Sequence, residues 1–434
     1  MSRLLNIEEP AAAAPRPSMT AFLALGFRPL YLAGAAWALI SIALWIFAPQ
    51  VLNGPLPLVY WHAHEMLWGF IITIAVGFLL TASATWTGFN PLSGRPLGLL
   101  CLLWLVARVG FLAGGLTGFW IATAAELLFF LTASASLMRV MIKGRSRRNY
   151  GLPVVMLALG VADLLYLLAA LRGDYTLLMR RFDLGLIGMA VIALLIARRV
   201  IPFFSMRMVQ GLQIPMLTRS GQVQMIFSAL ALTAGVLMQI VPPPADGGPA
   251  LLPLLMAFSL ALTGLIALGQ LLAWRPLAVL RKPMLWILYL GYAFIGIGLL
   301  AAAVQVSGLF DPSLLRGMLA RSATHVHLIG MAGFCILIIG MLTRTALGHL
   351  GRPLALDRNM LAGYWLMIAA AIFRLAALWP SAASQTLLHL AACAWILCMG
   401  LYLWRFAPML IRPRPDKPVP AAPPRATAQP AQAR

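Results

Sequence analysis

Twelve apolar stretches, each close to the roughly 20 residues a helix needs to cross a bilayer, follow one another along this 434-residue chain. That pattern leaves one architecture. In lipid the backbone must satisfy its own hydrogen bonds, and apolar runs of this length do so as helices. The residue-by-residue alternation of a membrane barrel is absent. Only 10% of the residues are charged, where a soluble domain carries about 25%. The fold class expected is an all-α integral membrane protein with twelve transmembrane helices. The spans predicted are 28–48, 61–86, 96–114, 117–142, 150–172, 182–201, 221–241, 250–273, 283–304, 321–343, 359–379 and 384–410.

The formal net charge is +21. The basic residues sit in short loops between apolar runs, which is the positive-inside pattern rather than a nucleic-acid surface. The loop after span 4 carries Lys143, Arg145, Arg147 and Arg148, and those after spans 6, 8 and 10 are also basic. The loops after spans 1, 3, 7 and 11 carry no Lys or Arg. This alternation predicts both termini in the cytoplasm. Residues 1–20 and 413–434 read as disordered, Pro/Ala-rich tails around a membrane domain at 21–412. No cleavable signal pattern is visible, so the first span serves as the insertion signal. Cys101, Cys335, Cys393 and Cys398 form no CxxC and read as small apolar core residues.

The chain holds six histidines, and four of them lie in two similar strings. Trp61-His62-Ala63-His64-Glu65 opens span 2, and Thr324-His325-Val326-His327-Leu328 opens span 10. Both spans run from outside to inside, so all four rings are expected near the outer side at similar depth. Internal repeats put the strings in matched places. Arg-Pro-Leu occurs at 28–30, 95–97, 275–277 and 352–354, before spans 1, 3, 9 and 11. Leu-Ile-Gly-Met-Ala is shared by spans 6 and 10, which sets Asp183 opposite His325. The expectation is three four-helix units, at about 21–142, 150–273 and 274–410, the middle one without its histidines.

Histidine at membrane depth is costly unless it binds or relays something. Residues i and i+2 on an α-helix point about 200° apart, so the two rings of one string cannot hold one ion. One ring from each span flanking a cofactor is the economical arrangement. A haem with two axial imidazoles suits it, and copper held by imidazole is the second candidate. The candidate ligands, for haem or metal, are His62, His64, His325 and His327, with His389 in reserve. Glu65 is a candidate to orient a histidine ring from behind. His349 reads as a loop residue. Arg108 and Arg374 are expected to pair with Glu126 and Asp163. Trp37, Trp45, Trp61, Trp68 and Trp86 line a haem cleft or form interfacial belts. Pro202 is expected to end or bend span 6.

These residues resemble the NnrS family. The likeness is carried by Trp61 to Phe70, by Gly77-Phe78-Leu79-Leu80-Thr81-Ala82, and by Trp86-Thr87-Gly88. Arg199-Val200-Ile201-Pro202-Phe203-Phe204 and Leu347-Gly348-His349-Leu350-Gly351-Arg352-Pro353-Leu354 add to it. The resemblance covers about residues 20 to 410. It implies a bacterial, multi-pass inner-membrane protein associated with haem and copper. It also implies a part in the response to nitric oxide during denitrification or nitrosative stress. A more distant likeness is to the catalytic subunit of haem-copper oxidases, where His64, His325 and His327 would fit the haem positions on helices 2 and 10. Those oxidases hold copper on helices 6 and 7, and spans 6 and 7 here contain no histidine.

The function expected is therefore a haem-binding inner-membrane protein, haem of b type, with copper as a further candidate, acting in protection from nitric oxide. Its partners would be membrane lipid, nitric oxide, and quinol or another electron donor, with no nucleic acid. The alternatives are a transporter of a metal complex or small anion, and a quinol-linked oxidoreductase. The sequence leaves open whether it is an enzyme. It shows no nucleotide-binding motif, phosphate loop or nucleophile triad.

Overall fold

The computed structural model describes residues 16–241, 250–308 and 323–415, and every regular element among them is helical. Among the described residues, twelve helices are long and apolar enough to span a membrane. They are α1 (Phe27–Phe47), α2 (Leu58–Thr87), α3 (Gly94–Ala113), α4 (Leu116–Lys143), α5 (Arg147–Arg172) and α6 (Tyr175–Met208). There follow α7 (Thr218–Leu237), α8 (Leu251–Ala273), α9 (Pro283–Ser307), α10 (Ala323–His349), α11 (Arg358–Ala376) and α12 (Ser384–Leu410). The disorder expected for the tails falls largely on residues 1–15 and 416–434, outside the described residues.

Local chemistry sets the helix ends. Asp174 and Asp357 cap α6 and α11, each accepting from the backbone N–H three residues on, at 2.9 Å. Gly88 ends α2 with φ +79°, a left-handed conformation that only glycine takes without cost. Pro202 does not end α6, which runs on to Met208. Proline removes one backbone hydrogen bond, and packing holds the turn beyond it. The buried Ser205 hydroxyl lies 3.1 Å from the Tyr289 hydroxyl of α9.

Most sequential helices pack side by side, α2 instead sets its C-terminal half against α4, and α12 closes back on α1. The closure is polar at one end. Ser18 donates its backbone N–H to Ile411 O at 2.9 Å, and Arg28 Nη1 donates to Leu410 O and Arg412 O at 2.8 and 2.7 Å. The two ends of the helical region therefore meet at the same end of the bundle.

Three helices, α2, α6 and α10, meet one another at the centre. In α2 the most apolar window is 89% buried inside the protein, against 33% in α3, so α2 is an internal helix while α3 faces outward. Apolar association gives no net drive within lipid, and small residues let helices approach instead. A Cβ on Gly291 of α9 would stand 2.6 Å from the backbone N of Leu337 on α10. The central trio leaves one apolar cleft of about 70 Å³, lined by Ile71 and Phe78 of α2, Met189 and Ile201 of α6, and Phe334 of α10.

Both central helices that carry histidine strings change pitch immediately after the second histidine of the string. Glu65–Ile72 in α2 and Leu328–Cys335 in α10 are π-helical, eight residues each. Such insertions are rare and cluster at functional sites. Side chains take up the displaced carbonyls. Gly69 O accepts from Thr73 Oγ1 at 3.0 Å and Trp104 Nε1 at 3.2 Å, and Gly330 O accepts from Cys335 Sγ at 3.1 Å.

Candidate metal centre

The first four residues of each string stay α-helical or nearly so, and the rings of each pair point to different places. His64 faces α4 and α5. Its Nε2 lies 3.0 Å from Asp163 Oδ1 and 3.3 Å from Glu126 Oε2. Its Nδ1 lies 2.9 Å from Glu65 Oε1. Arg108 of α3 forms ion pairs with both Glu65 and Glu126, and Trp37 Nε1 donates to Glu65 Oε2 at 2.6 Å. His64, Glu65 and Asp163 have no exposed surface, and Arg108 and Glu126 almost none. Trp68, Phe111 and Tyr166 surround the His64 ring at 5.6, 4.7 and 6.0 Å and keep water out.

Three carboxylates here face one guanidinium. With a neutral imidazole the cluster carries two uncompensated negative charges, in surroundings where buried charge is costly. Glu126 Oε2 and Asp163 Oδ2 have no hydrogen-bond partner among the described residues. The ligand atoms of His64, Glu126 and Asp163 lie within 4.8 Å of one another, so the three are able to share one metal ion.

The network depends on a bare backbone at Gly69. A Cβ there would collide with Arg108 Nη1, Glu65 Oε2 and Trp37 Nε1 at once. Gly69→Ala is therefore expected to lower stability by about 1–3 kcal/mol, the usual cost of overpacking a tight interior. Thermal unfolding of the detergent-solubilised variant checks this, and an unchanged midpoint would contradict it.

The other three histidines of the strings gather elsewhere. His62 stacks on Trp45 of α1 at 4.9 Å and 9° between planes, and neither of its ring nitrogens has a hydrogen-bond partner among the described residues. His325 Nε2 lies 2.9 Å from Asp183 Oδ1 of α6, leaving a buried Nδ1 without a partner among the described residues. His327 Nδ1 donates to Ala323 O at 2.8 Å, which leaves Nε2 unbonded. His62 and His325 both lie within electrostatic reach of His327. Arg374 is near enough to act on His62 and His327.

Several pairings differ from expectation. Arg108 does meet Glu126, but Asp163 pairs with His64, and Arg374 joins the histidines instead. The reason is lateral placement, because α11 packs against α10 and α12. His349 is the last residue of α10 rather than part of a loop, and it leans on Phe27 at 5.5 Å. His389 donates Nδ1–H to Gln385 O at 2.9 Å and leans on Phe47 at 5.6 Å. Of the tryptophans, Trp68 is tied to Leu159 O at 3.0 Å and Trp61 is buried against Trp37.

Glu126 and Asp163 were not legible as partners of His64. The only signal was their presence as charges within apolar spans, 62 and 99 positions further on. Asp183 was not legible as a partner of His325 either, since the shared Leu-Ile-Gly-Met-Ala string marks the two as equivalent repeat positions and not as neighbours.

The chain matches the family described as NnrS protein over residues 21–414. It belongs to the NnrS family. That match takes in all twelve spans and both histidine strings. No curated protein matches the chain.

Proposed function

We propose that this NnrS-family protein binds haem in the bacterial cytoplasmic membrane through His62 and His327 and protects the cell from nitric oxide. One observation carries the ligand assignment. Of the four string histidines, these two alone keep Nε2 free of hydrogen bonds among the described residues. The donor chemistry fits the group. His327 has its Nδ1–H held by a carbonyl, the bond that turns an Nε2 lone pair outward in metal-ligating histidines. His62 is oriented by its stack on Trp45. One ring comes from α2 and the other from α10, both at helix starts. His64 fits less well, since each of its ring nitrogens faces a carboxylate.

When bound, haem would supply a redox-active iron able to take up a diatomic gas or pass an electron. The residues of the chain hold and orient. Arg374 is near enough to act on both rings with its positive charge, which suits an acidic edge of a ligand. Asp183 fixes His325 next to them. The basic loops support an outer-side histidine layer, and a three-unit repeat would put both strings at one depth. The matched π-turns after the two strings favour that repeat reading.

The test is a dithionite-reduced minus oxidised spectrum of the purified protein, before and after nitric oxide. Sharp haem bands that shift with nitric oxide support a gas-binding role. Sharp bands that do not shift support a closed bis-histidine haem that carries electrons. Fully folded protein isolated from haem-replete cells without haem would overturn the proposal and favour transport.

A further inference from the structure

We propose that His64, Glu126 and Asp163 bind one divalent first-row metal ion, in a non-haem site distinct from the His62 and His327 pair. The argument begins with the proton on His64. Glu65 Oε1 stands 2.9 Å from Nδ1, the place of the carboxylate behind a metal-ligating histidine, and a proton held there leaves Nε2 as a lone pair. The Nε2 lone pair then faces Asp163 Oδ1 at 3.0 Å and Glu126 Oε2 at 3.3 Å. With the proton on Nδ1, three acceptors so placed repel one another unless a second proton or a metal cation lies between them.

The spacing suits an ion. Bonds of about 2.0–2.2 Å at angles of about 90–109° set neighbouring donors about 2.8–3.6 Å apart. Both measured separations fall in that range. Charge agrees with geometry. Arg108 offsets one carboxylate, and a dication neutralises the remaining two. A protonated His64 would neutralise only one. Two oxygens have no hydrogen-bond partner among the described residues: Glu126 Oε2, which faces His64 Nε2 at 3.3 Å, and Asp163 Oδ2, both on side chains more than nine-tenths buried. One imidazole and two carboxylates select Zn²⁺, Mn²⁺, Fe²⁺ or Co²⁺ over Cu⁺, which prefers thiolate or thioether.

The experiment uses the full-length protein in detergent. Total metal is measured by mass spectrometry, and haem iron is subtracted using the haem content. The metal-stripped protein is then titrated with Co²⁺, whose visible d–d bands report its coordination. Wild type is expected to take up about one equivalent of Co²⁺, displaced by Zn²⁺. Glu126→Gln and Asp163→Asn each weaken uptake at least tenfold while the tryptophan fluorescence and elution volume stay native. Wild type that develops no d–d bands with Co²⁺ overturns the proposal, and this arm needs no variant to fold. Unchanged uptake by the Glu126→Gln/Asp163→Asn double variant also overturns it, because the ion then sits elsewhere.

Discussion

His62→Ala and His327→Ala are each expected to strip the haem absorption from the purified protein, while His389→Ala leaves it in place. The two sensitive rings come from different helices, so the result would not follow from damage to one string. Even an outer partner of a metal ligand changes affinity by about 10–100-fold, and loss of a ligand costs no less. Bound haem per protein, read from the absorption spectrum of protein with a native elution volume, should therefore fall at least tenfold. His389 makes the comparison fair. It lies near the start of α12, bonded to Gln385 O and packed on Phe47. Haem retained by both His62→Ala and His327→Ala would sink the ligand assignment. Haem lost from His64→Ala alone would move the site to the oxidase-like position.

The second large effect concerns stability. Arg108→Met should destabilise the fold by about 3–5 kcal/mol, the cost of leaving buried charges without their partner. Arg108 forms ion pairs with Glu65 and Glu126, and all three are buried. Methionine fills the space of the arginine stem and supplies no charge. Pairing the change with Glu126→Gln should recover part of the loss, since it removes one of the stranded carboxylates. The difference between the double variant and the two singles measures the interaction. Melting followed by tryptophan fluorescence is a suitable readout, because Trp37 and Trp104 adjoin the network. A native melting temperature in Arg108→Met would mean that the carboxylates are neutral in the folded protein, and the charge argument for a metal would fail with it.

Hydropathy alone placed the spans to within a few residues in most cases. The larger departures have physical causes. Span 6 begins near Tyr175 because Asp174 caps it there, ahead of a basic turn too polar for the apolar window. It continues past Pro202 because tertiary contacts hold its last turns. Span 10 runs to His349 rather than 343, since Arg344 packs over the Phe204 ring at 3.7 Å. The π-turns carry no composition signal. They show only when the carbonyls they displace find Trp104 and Cys335 as partners.

The sequence by itself determined the fold class, the twelve spans, the two histidine strings at matched helix starts, and the glutamate beside His64. Each of these is set by hydrophobicity or by neighbours along one helix, and so by local order. Only the tertiary structure decided that His64 joins Glu126, Asp163 and Arg108, that His325 meets Asp183, and that His62 and His327 keep open nitrogens. The reason lies in the solvent. Lipid is as apolar as the helices, so hydrophobicity chooses which segments enter the membrane but not which helix stands beside which. That choice falls to close contacts at small residues such as Gly69 and Gly291, and to buried polar groups that must find partners from distant parts of the chain.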